Sequence, residues 1–363
     1  MSTQKYLLLI SLLLIQHILK SQQTKSENLI IITLDGMRWQ EMYSGADSVL
    51  TFDTIASYSE QYVKKHFWAP TASERRSKLM PFFWNTIVSK GILLGNRFVG
   101  SYVNNANPYW FSYPGYNEIF TGYPDTAVNS NDKIPNKNET VLEYLHKLPE
   151  YKGKVAAFCS WDVFSYILNA KRSGIYVNDG FTNMSGNLSE RQKIFNRLQH
   201  ESPDLFHGGE RLDVFTFHMG FEYLKNKKPR VMYFGFGDTD EFAHSGDYDL
   251  YLDAARKTDN WIREIWEYIQ RTPGYMNKTT MIITTDHGRG AASNGNWKHH
   301  GANIPGADEI WIAAIGRSIP MKGEVRNGAQ FYQGQVAATI AFLLGKNFTP
   351  AHKPMPLIQF EKD

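Results

Sequence analysis

Five short stretches of the chain are almost continuously apolar: Leu29–Leu34, Val155–Cys159, Val231–Phe236, Met281–Thr285 and Ile310–Ile315. Their apolar residues do not alternate with polar ones, as they would on a strand with one wet face. Unbroken runs of this length predict buried parallel strands, covered on both faces. Between them, helical patterns fall over 53–66, 75–90, 139–147, 249–271 and 330–344. Strand and helix in alternation predict an α/β fold, a doubly wound, mostly parallel sheet with helices on both faces. The polar stretches 123–137, 172–189 and 288–308 read as long loops. No repeat, low-complexity tract or linker divides the chain. Residues 22–363 therefore read as a single domain, with 160–228 as an insertion or cap.

The N-terminus departs from this pattern. Lys5 precedes an apolar run, Tyr6–Ile15, too short for a membrane span, which takes about 20 residues. Gln16, His17, Lys20 and Gln22 then end the apolarity. This is the form of a secretory signal peptide over residues 1–21, cut after Ser21; the competing reading is an uncleaved N-terminal anchor. No other stretch approaches membrane length. The expectation is an exported protein, periplasmic or extracellular, with no membrane span after signal removal. Losing residues 1–21 removes Lys5 and Lys20 and no acid, which lowers the formal charge from +3 to +1. A nearly neutral mature chain gives no electrostatic case for nucleic-acid or anionic-membrane binding. Cys159 is the only cysteine, so no internal disulfide forms. Export without disulfides suits a bacterial periplasm.

Three of the apolar runs end in acids and histidines. The first runs into Asp35-Gly36, the third into Gly237-Asp238-Thr239-Asp240 with His244 after it, and the fourth into Asp286-His287-Gly288. In open α/β sheets, ligands bind beyond the carboxyl ends of the strands. A lone Asp at such a junction is most often a cap or turn residue; three that agree in type and place point to a site. If Asp240–His244 is helical, its ends share a face, so a carboxylate and an imidazole can meet one cation. His299 and His300 follow in a loop. Oxygen and nitrogen donors without thiolate suit Zn²⁺, and less decisively Mn²⁺ or Fe. Ser112 stands among Tyr109, Trp110, Phe111 and Tyr113, and Tyr116–Thr121 reads as a short helix ended by Gly122. A serine just ahead of a helix lies near its positive end, which favours anions; taken alone, it is an ordinary N-cap.

Together these pieces resemble the alkaline phosphatase superfamily, and within it the nucleotide pyrophosphatase/phosphodiesterase branch. The matching segments are LDG at 34–36, SYPGYNEIFTG at 112–122, DTDEFAH at 238–244, TTDHGRG at 284–290 and HHG at 299–301. Their order agrees throughout, over about residues 29–316, and several ordered motifs at strand ends are far more specific than one. The resemblance implies two divalent metal ions. One would take Asp240, His244 and His300, the last preferred over His299 because relatives place this ligand directly before the Gly. The other would take Asp35, Asp286 and His287, with Ser112 as nucleophile and metal ligand. Asn131 falls where diesterase relatives keep a phosphate-contacting Asn. The implied reaction is hydrolysis of a small-molecule phosphate ester through a phosphoserine.

Two departures bear on the substrate. Sulfatases of the superfamily carry an Arg two residues after the Pro, where this chain has Tyr116, and the nucleophile is Ser rather than Cys. Its monoesterases carry an Arg soon after the nucleophile, and no Arg lies between Ser112 and Asp132; Arg38 and Arg289 are the candidates to replace it. The aromatics beside Ser112 suit stacking on a base or phenyl group, a lean towards diesters. The alternatives are a superfamily isomerase or transferase resembling phosphoglycerate mutases, a sulfatase, or a non-catalytic protein that keeps metals or phosphate. Export and modest length weigh against the mutase, and the full ligand set with an intact Ser112 weighs against the last.

Overall fold

The computed structural model describes residues 25–360 apart from Thr54 and Ala329. The segment expected as a signal peptide lies outside the described residues. Among them, no helix is long and apolar enough to cross a membrane.

Among the described residues ten strands form: β1 (Asn28–Leu34), β2 (Gly91–Leu94), β3 (Tyr102–Asn104), β4 (Val155–Cys159), β5 (Tyr176–Asp179), β6 (Val231–Phe236), β7 (Thr279–Thr284), β8 (Ile312–Gly316), β9 (Gly323–Glu324) and β10 (Gln330–Tyr332). Eight of them make one sheet in the order β5-β4-β6-β1-β7-β8-β2-β9, and β10 pairs with β3 beside it. The run β5-β4-β6-β1-β7 is parallel throughout. Every residue of β1, β4, β6 and β7 is buried, and their side chains divide between two cores. Ile30, Ile32, Leu34, Phe234 and Phe236 face one; Leu29, Ile31, Tyr233 and Cys159 face the other. That division is why the strands read as unbroken apolar runs.

Five helices bear on the site: α1 (Ser112–Thr121), α2 (Asp213–Lys227), α3 (Asp238–Ser245), α4 (Tyr248–Arg271) and α5 (Gln335–Leu343). α1 and α5 pack together on one face, where Tyr116, Phe120, Val336 and Ile340 join the core. α2 and α4 cover the other with Phe217, Leu252, Ile262 and Ile265. The architecture is the expected doubly wound, mostly parallel α/β sheet. The 160–228 stretch, expected as an insertion or cap, supplies edge strand β5, and α2, which packs on β4 and β6.

Several local expectations are corrected. The 310–315 run forms β8 from Ile312, antiparallel to β7, because the chain returns from the carboxyl end of β7 through a loop rather than a helical crossover. The 172–189 stretch is not all loop, since it contains β5. Over 75–90 the helix stops at Leu79, and a tighter-bonded α segment gives way to a π-helical turn at Phe83–Val88. The break is at Pro81, which forces Met80 out of helical geometry (φ −132°, ψ 71°). Within 53–66 the helix is confined to Glu60–His66, and 330–332 is β10 rather than the start of α5.

Candidate metal centre and nucleophile

β6, β1 and β7 are neighbours at the middle of the sheet, and all three deliver their acids to the same edge. Asp35 follows β1, Asp240 lies in the first turn of α3 after β6, and Asp286 and His287 follow β7. The start of α3 is fixed from below by Asp213, whose carboxylate accepts from the N–H groups of Gly237 (2.7 Å) and Asp238 (3.0 Å). Asp240 and His244, one turn apart on α3, meet with Oδ2 and Nε2 3.1 Å apart.

His287 is the centre of the group. It is wholly buried, and its Nδ1 lies 3.0 Å from the carbonyl of Gly288. With its proton on Nδ1, donated to that carbonyl, the ring would present a lone pair at Nε2. Around Nε2 stand Asp35 Oδ1 at 3.3 Å, Asp286 Oδ2 at 3.5 Å and Asp240 Oδ1 at 3.7 Å, with Ser112 Oγ at 3.5 Å. His300 stacks on His287 with ring centroids 3.9 Å apart. Its Nδ1 lies 3.3 Å from the Trp110 carbonyl, and its Nε2 lies 2.9 Å from His244 Nε2. His299 is exposed and stands outside this group.

Ser112 is the first residue of α1 rather than a residue ahead of it, and α1 runs on to a left-handed cap at Gly122. Its approach to the sheet edge depends on Gly115, where a Cβ would collide with the carbonyl oxygen of Asp286. Gly115→Ala is therefore expected to cost about 1–3 kcal/mol of stability and to lower turnover by pushing Ser112 away from His287. Denaturant unfolding with a parallel rate measurement tests this; wild-type stability and rate would mean that α1 has room to yield. Asn131 is exposed, and its Oδ1 accepts from the Tyr113 N–H at 3.0 Å, one residue beyond Ser112.

Burial first, then the charge of Asp240, pushes the Asp35 carboxyl well above its ordinary range. Burial and then Asp35 do the same to Asp286. Burial would raise Asp240 too, but the Arg289 guanidinium and His244 hold it well below. Burial and then His287 push His300 well below the usual imidazole range, which keeps it neutral.

A donor set of this kind fits divalent cations. Asp35 Oδ1 and Asp286 Oδ2 are buried with no hydrogen-bond partner, an arrangement costly in the absence of a cation. In the Nδ1-protonated tautomer, His287 Nε2 faces three carboxylates that are themselves acceptors. The ring nitrogens of His244 and His300 point at each other. Among the described residues, two groups have ligand atoms within 4.8 Å of one another: Asp240, His244 and His300, and Asp35, Asp240 and His287. Asp240 is common to both, and Asp286 stands beside the second.

Several contributors take roles that the sequence pattern did not assign to them. Tyr116 donates to Asp35 Oδ2 at 2.8 Å, so the position of the sulfatase Arg is taken by a hydroxyl that holds a carboxylate. Thr239 Oγ1 donates to the Asp35 carbonyl at 2.6 Å. Trp110 has φ 53°, a strained backbone for a bulky residue, and that turn brings its carbonyl to His300. Arg289 is wholly buried and binds Asp240 Oδ1, the Asp240 carbonyl (3.0 Å) and the Lys298 carbonyl (2.7 Å).

Residues 53–317 match the sequence profile of type I phosphodiesterases / nucleotide pyrophosphatases. The chain belongs to that family. This type I phosphodiesterase match begins after Asp35, whose place in the group rests on its position at the end of β1 and on its distance to His287. The family is one of phosphoester hydrolases, and its members use divalent metals. No curated protein sequence matches the chain. Solved structures that share the fold belong to the alkaline phosphatase superfamily. Wild-type alkaline phosphatase PafA has a TM-score of 0.58 at 10% identity, covering 90% of this chain and 97% of that one. BT1596, a 2-O GAG sulfatase, has a TM-score of 0.57 at 12% identity, covering 93% and 76%. The lipoteichoic acid synthase LtaP from Listeria monocytogenes has a TM-score of 0.55 at 13% identity, covering 89% and 73%. At these identities the likeness is one of fold.

Proposed function

We propose that this type I phosphodiesterase is an exported hydrolase of small phosphate diesters that uses two divalent metal ions, zinc above manganese, and a phosphoserine formed on Ser112. The observation that carries the reading is one distance: Ser112 Oγ lies 3.5 Å from His287 Nε2, the atom that also faces Asp35, Asp240 and Asp286. Asp240, His244 and His300 would hold one metal. Asp35, Asp286 and His287 would hold the other, with Ser112 beside it. Cations bound there lower the pKa of a coordinated hydroxyl and neutralise charge on phosphoryl oxygens.

The chain's own residues then perform the displacement. Ser112 Oγ passes its proton to solvent and bonds to phosphorus while the bond from phosphorus to the leaving alcohol oxygen breaks. The alkoxide takes a proton from solvent and departs. Water then attacks the same phosphorus and gives up a proton, Ser112 Oγ leaves and takes a proton in its place, and a phosphate monoester is released. Phe111, the N-cap of α1, offers no side-chain acceptor to the first turn, which favours an anion at that end. Asn131 is proposed to donate its amide Nδ2 to a phosphate oxygen. Its Oδ1 is already engaged by Tyr113, so the N–H₂ end is the one left for substrate.

Diesters are favoured over monoesters because neither candidate Arg is free. Arg38 is buried against Glu41 (3.1 Å) and Asp47 (3.5 Å). Arg289 is committed to Asp240 and Lys298. The extra charge of a monoester dianion, beyond what the cations would neutralise, lacks a guanidinium partner. Bis-p-nitrophenyl phosphate is therefore expected to exceed p-nitrophenyl phosphate in kcat/KM by at least about tenfold, the worth of one such hydrogen bond. A faster monoester would overturn this preference.

A further inference from the structure

The carbonyl oxygen of Asp286 is a junction of three parts of the chain. It accepts from Asn105 Nδ2 and from Gln333 Nε2, both at 2.7 Å. The same Nε2 also donates to the Thr285 carbonyl at 3.0 Å, and Gln333 Oε1 accepts from Asn105 Nδ2 at 2.6 Å. The third neighbour is α1, through the close approach at Gly115. Gln333 is wholly buried. It lies between β10 and α5, beyond the residues that match the family.

The next residue ties the same segment to the nucleophile. Gly334 N–H donates to Glu118 Oε1 at 3.0 Å, and Glu118 sits in the middle of α1. Its carboxylate also accepts from the N–H groups of Ala106 (2.9 Å) and Asn107 (2.9 Å), the start of the loop that leads to Ser112. Gln333-Gly334 is thus bonded both to the peptide that carries Asp286 and His287 and to the helix that carries Ser112. One donor satisfies a buried carbonyl. Two converging side-chain amides, bonded to each other as well, also fix the direction of the peptide plane. A tilt of that plane swings the Asp286 and His287 side chains together.

We infer that Gln333 is a positioning residue. It orients the Asp286–His287 peptide, and with it the Asp35/Asp286/His287 ligand group, relative to Ser112. The inference rests on the two-metal reading above. Gln333→Met keeps the length of the side chain and removes both donors. In zinc titrations of the folded protein, the wild type is expected to take up two ions per chain. In Gln333→Met one ion should bind as in the wild type and the other on the order of 10–100-fold more weakly, the usual loss when a partner behind a metal ligand is removed. Its kcat should fall more than KM rises. Asn105→Val, which removes the other donor to the same carbonyl, carries the same expectation if Gln333→Met does not fold. The double variant should be little worse than the worse single, because the two amides act as a unit. Wild-type affinity for both zinc ions in Gln333→Met, with or without a lowered Tm, would overturn the inference and leave the proposed function standing. A wild-type chain that binds no zinc would overturn the proposed function, and this inference with it.

Discussion

Ser112→Ala is expected to lower kcat on the order of 10³-fold or more while leaving the fold and the zinc content unchanged. Alanine keeps the backbone of α1 and deletes one hydroxyl. Ser112 makes a single side-chain contact of hydrogen-bond length, to His287, so its removal leaves no buried donor stranded elsewhere. The six proposed ligands come from other segments and should not notice. If Ser112 were only a helix residue with a tolerated hydroxyl, the same variant would turn over substrate near the wild-type rate. Steady-state kinetics with zinc analysis on the same preparation separates the two readings. A folded, zinc-loaded, fully active Ser112→Ala would make direct attack by water the better mechanism.

Removal of metal is expected to have an effect of the same order. Chelation should abolish turnover, and Zn²⁺ should restore it better than Mg²⁺. Three of the six proposed ligands are imidazoles, which suit zinc and not magnesium. The geometry adds a finer expectation. Asp240 lies in both clusters of donor atoms that come within 4.8 Å of one another, so it is placed to reach the second ion as well as its own, whereas His244 lies in one. Asp240→Ala should therefore weaken both zinc ions, and His244→Ala chiefly one. Removing Asp240 also strands Arg289, a wholly buried cation that pairs with it, so a lower Tm should accompany that variant and not His244→Ala. Full activity in excess chelator, or equal zinc loss in the two variants, would contradict this account.

Much of the fold was legible in the chain because its central strands are covered on both faces. Residues such as Ile30 to Ile32 have no wet side to show, so they leave unbroken apolar runs, and the chemistry follows each run at its carboxyl end. β5, β9 and β10 lie at an edge or beside the sheet. They are short and only half-buried, and their composition does not differ from that of loops. The direction of β8 was not readable either, since it depends on a loop that returns along one edge. The helix break near residue 80 was readable in principle, because Pro81 stands in the middle of the expected run.

The candidate site divides in the same way. Asp35, Asp240, His244, Asp286 and His287 stand at strand ends or at i,i+4 spacing, His300 stands in the HHG segment of the loop after β7, and Ser112 opens a helix that ends at a glycine. Those are patterns along the chain. Tyr116, Trp110, Arg289 and Gln333 act across it. Tyr116 reaches Asp35, Trp110 turns its carbonyl to His300, Arg289 spans Asp240 and Lys298, and Gln333 holds the Asp286 carbonyl. Tyr116, Trp110 and Gln333 are far in sequence from these partners, as Arg289 is from Asp240, and aromatic, amide or basic side chains in such places are more often core or surface.

The central claim is that Ser112 becomes covalently phosphorylated during turnover, and it can be read directly. The zinc-loaded enzyme is mixed with bis-p-nitrophenyl phosphate, quenched in acid within the first turnovers, digested, and its peptides weighed. The account predicts a burst of p-nitrophenolate and a p-nitrophenyl phosphoryl group on Ser112, absent from Ser112→Ala. An unmodified Ser112 in enzyme quenched during a burst, or the adduct on another side chain, would contradict it.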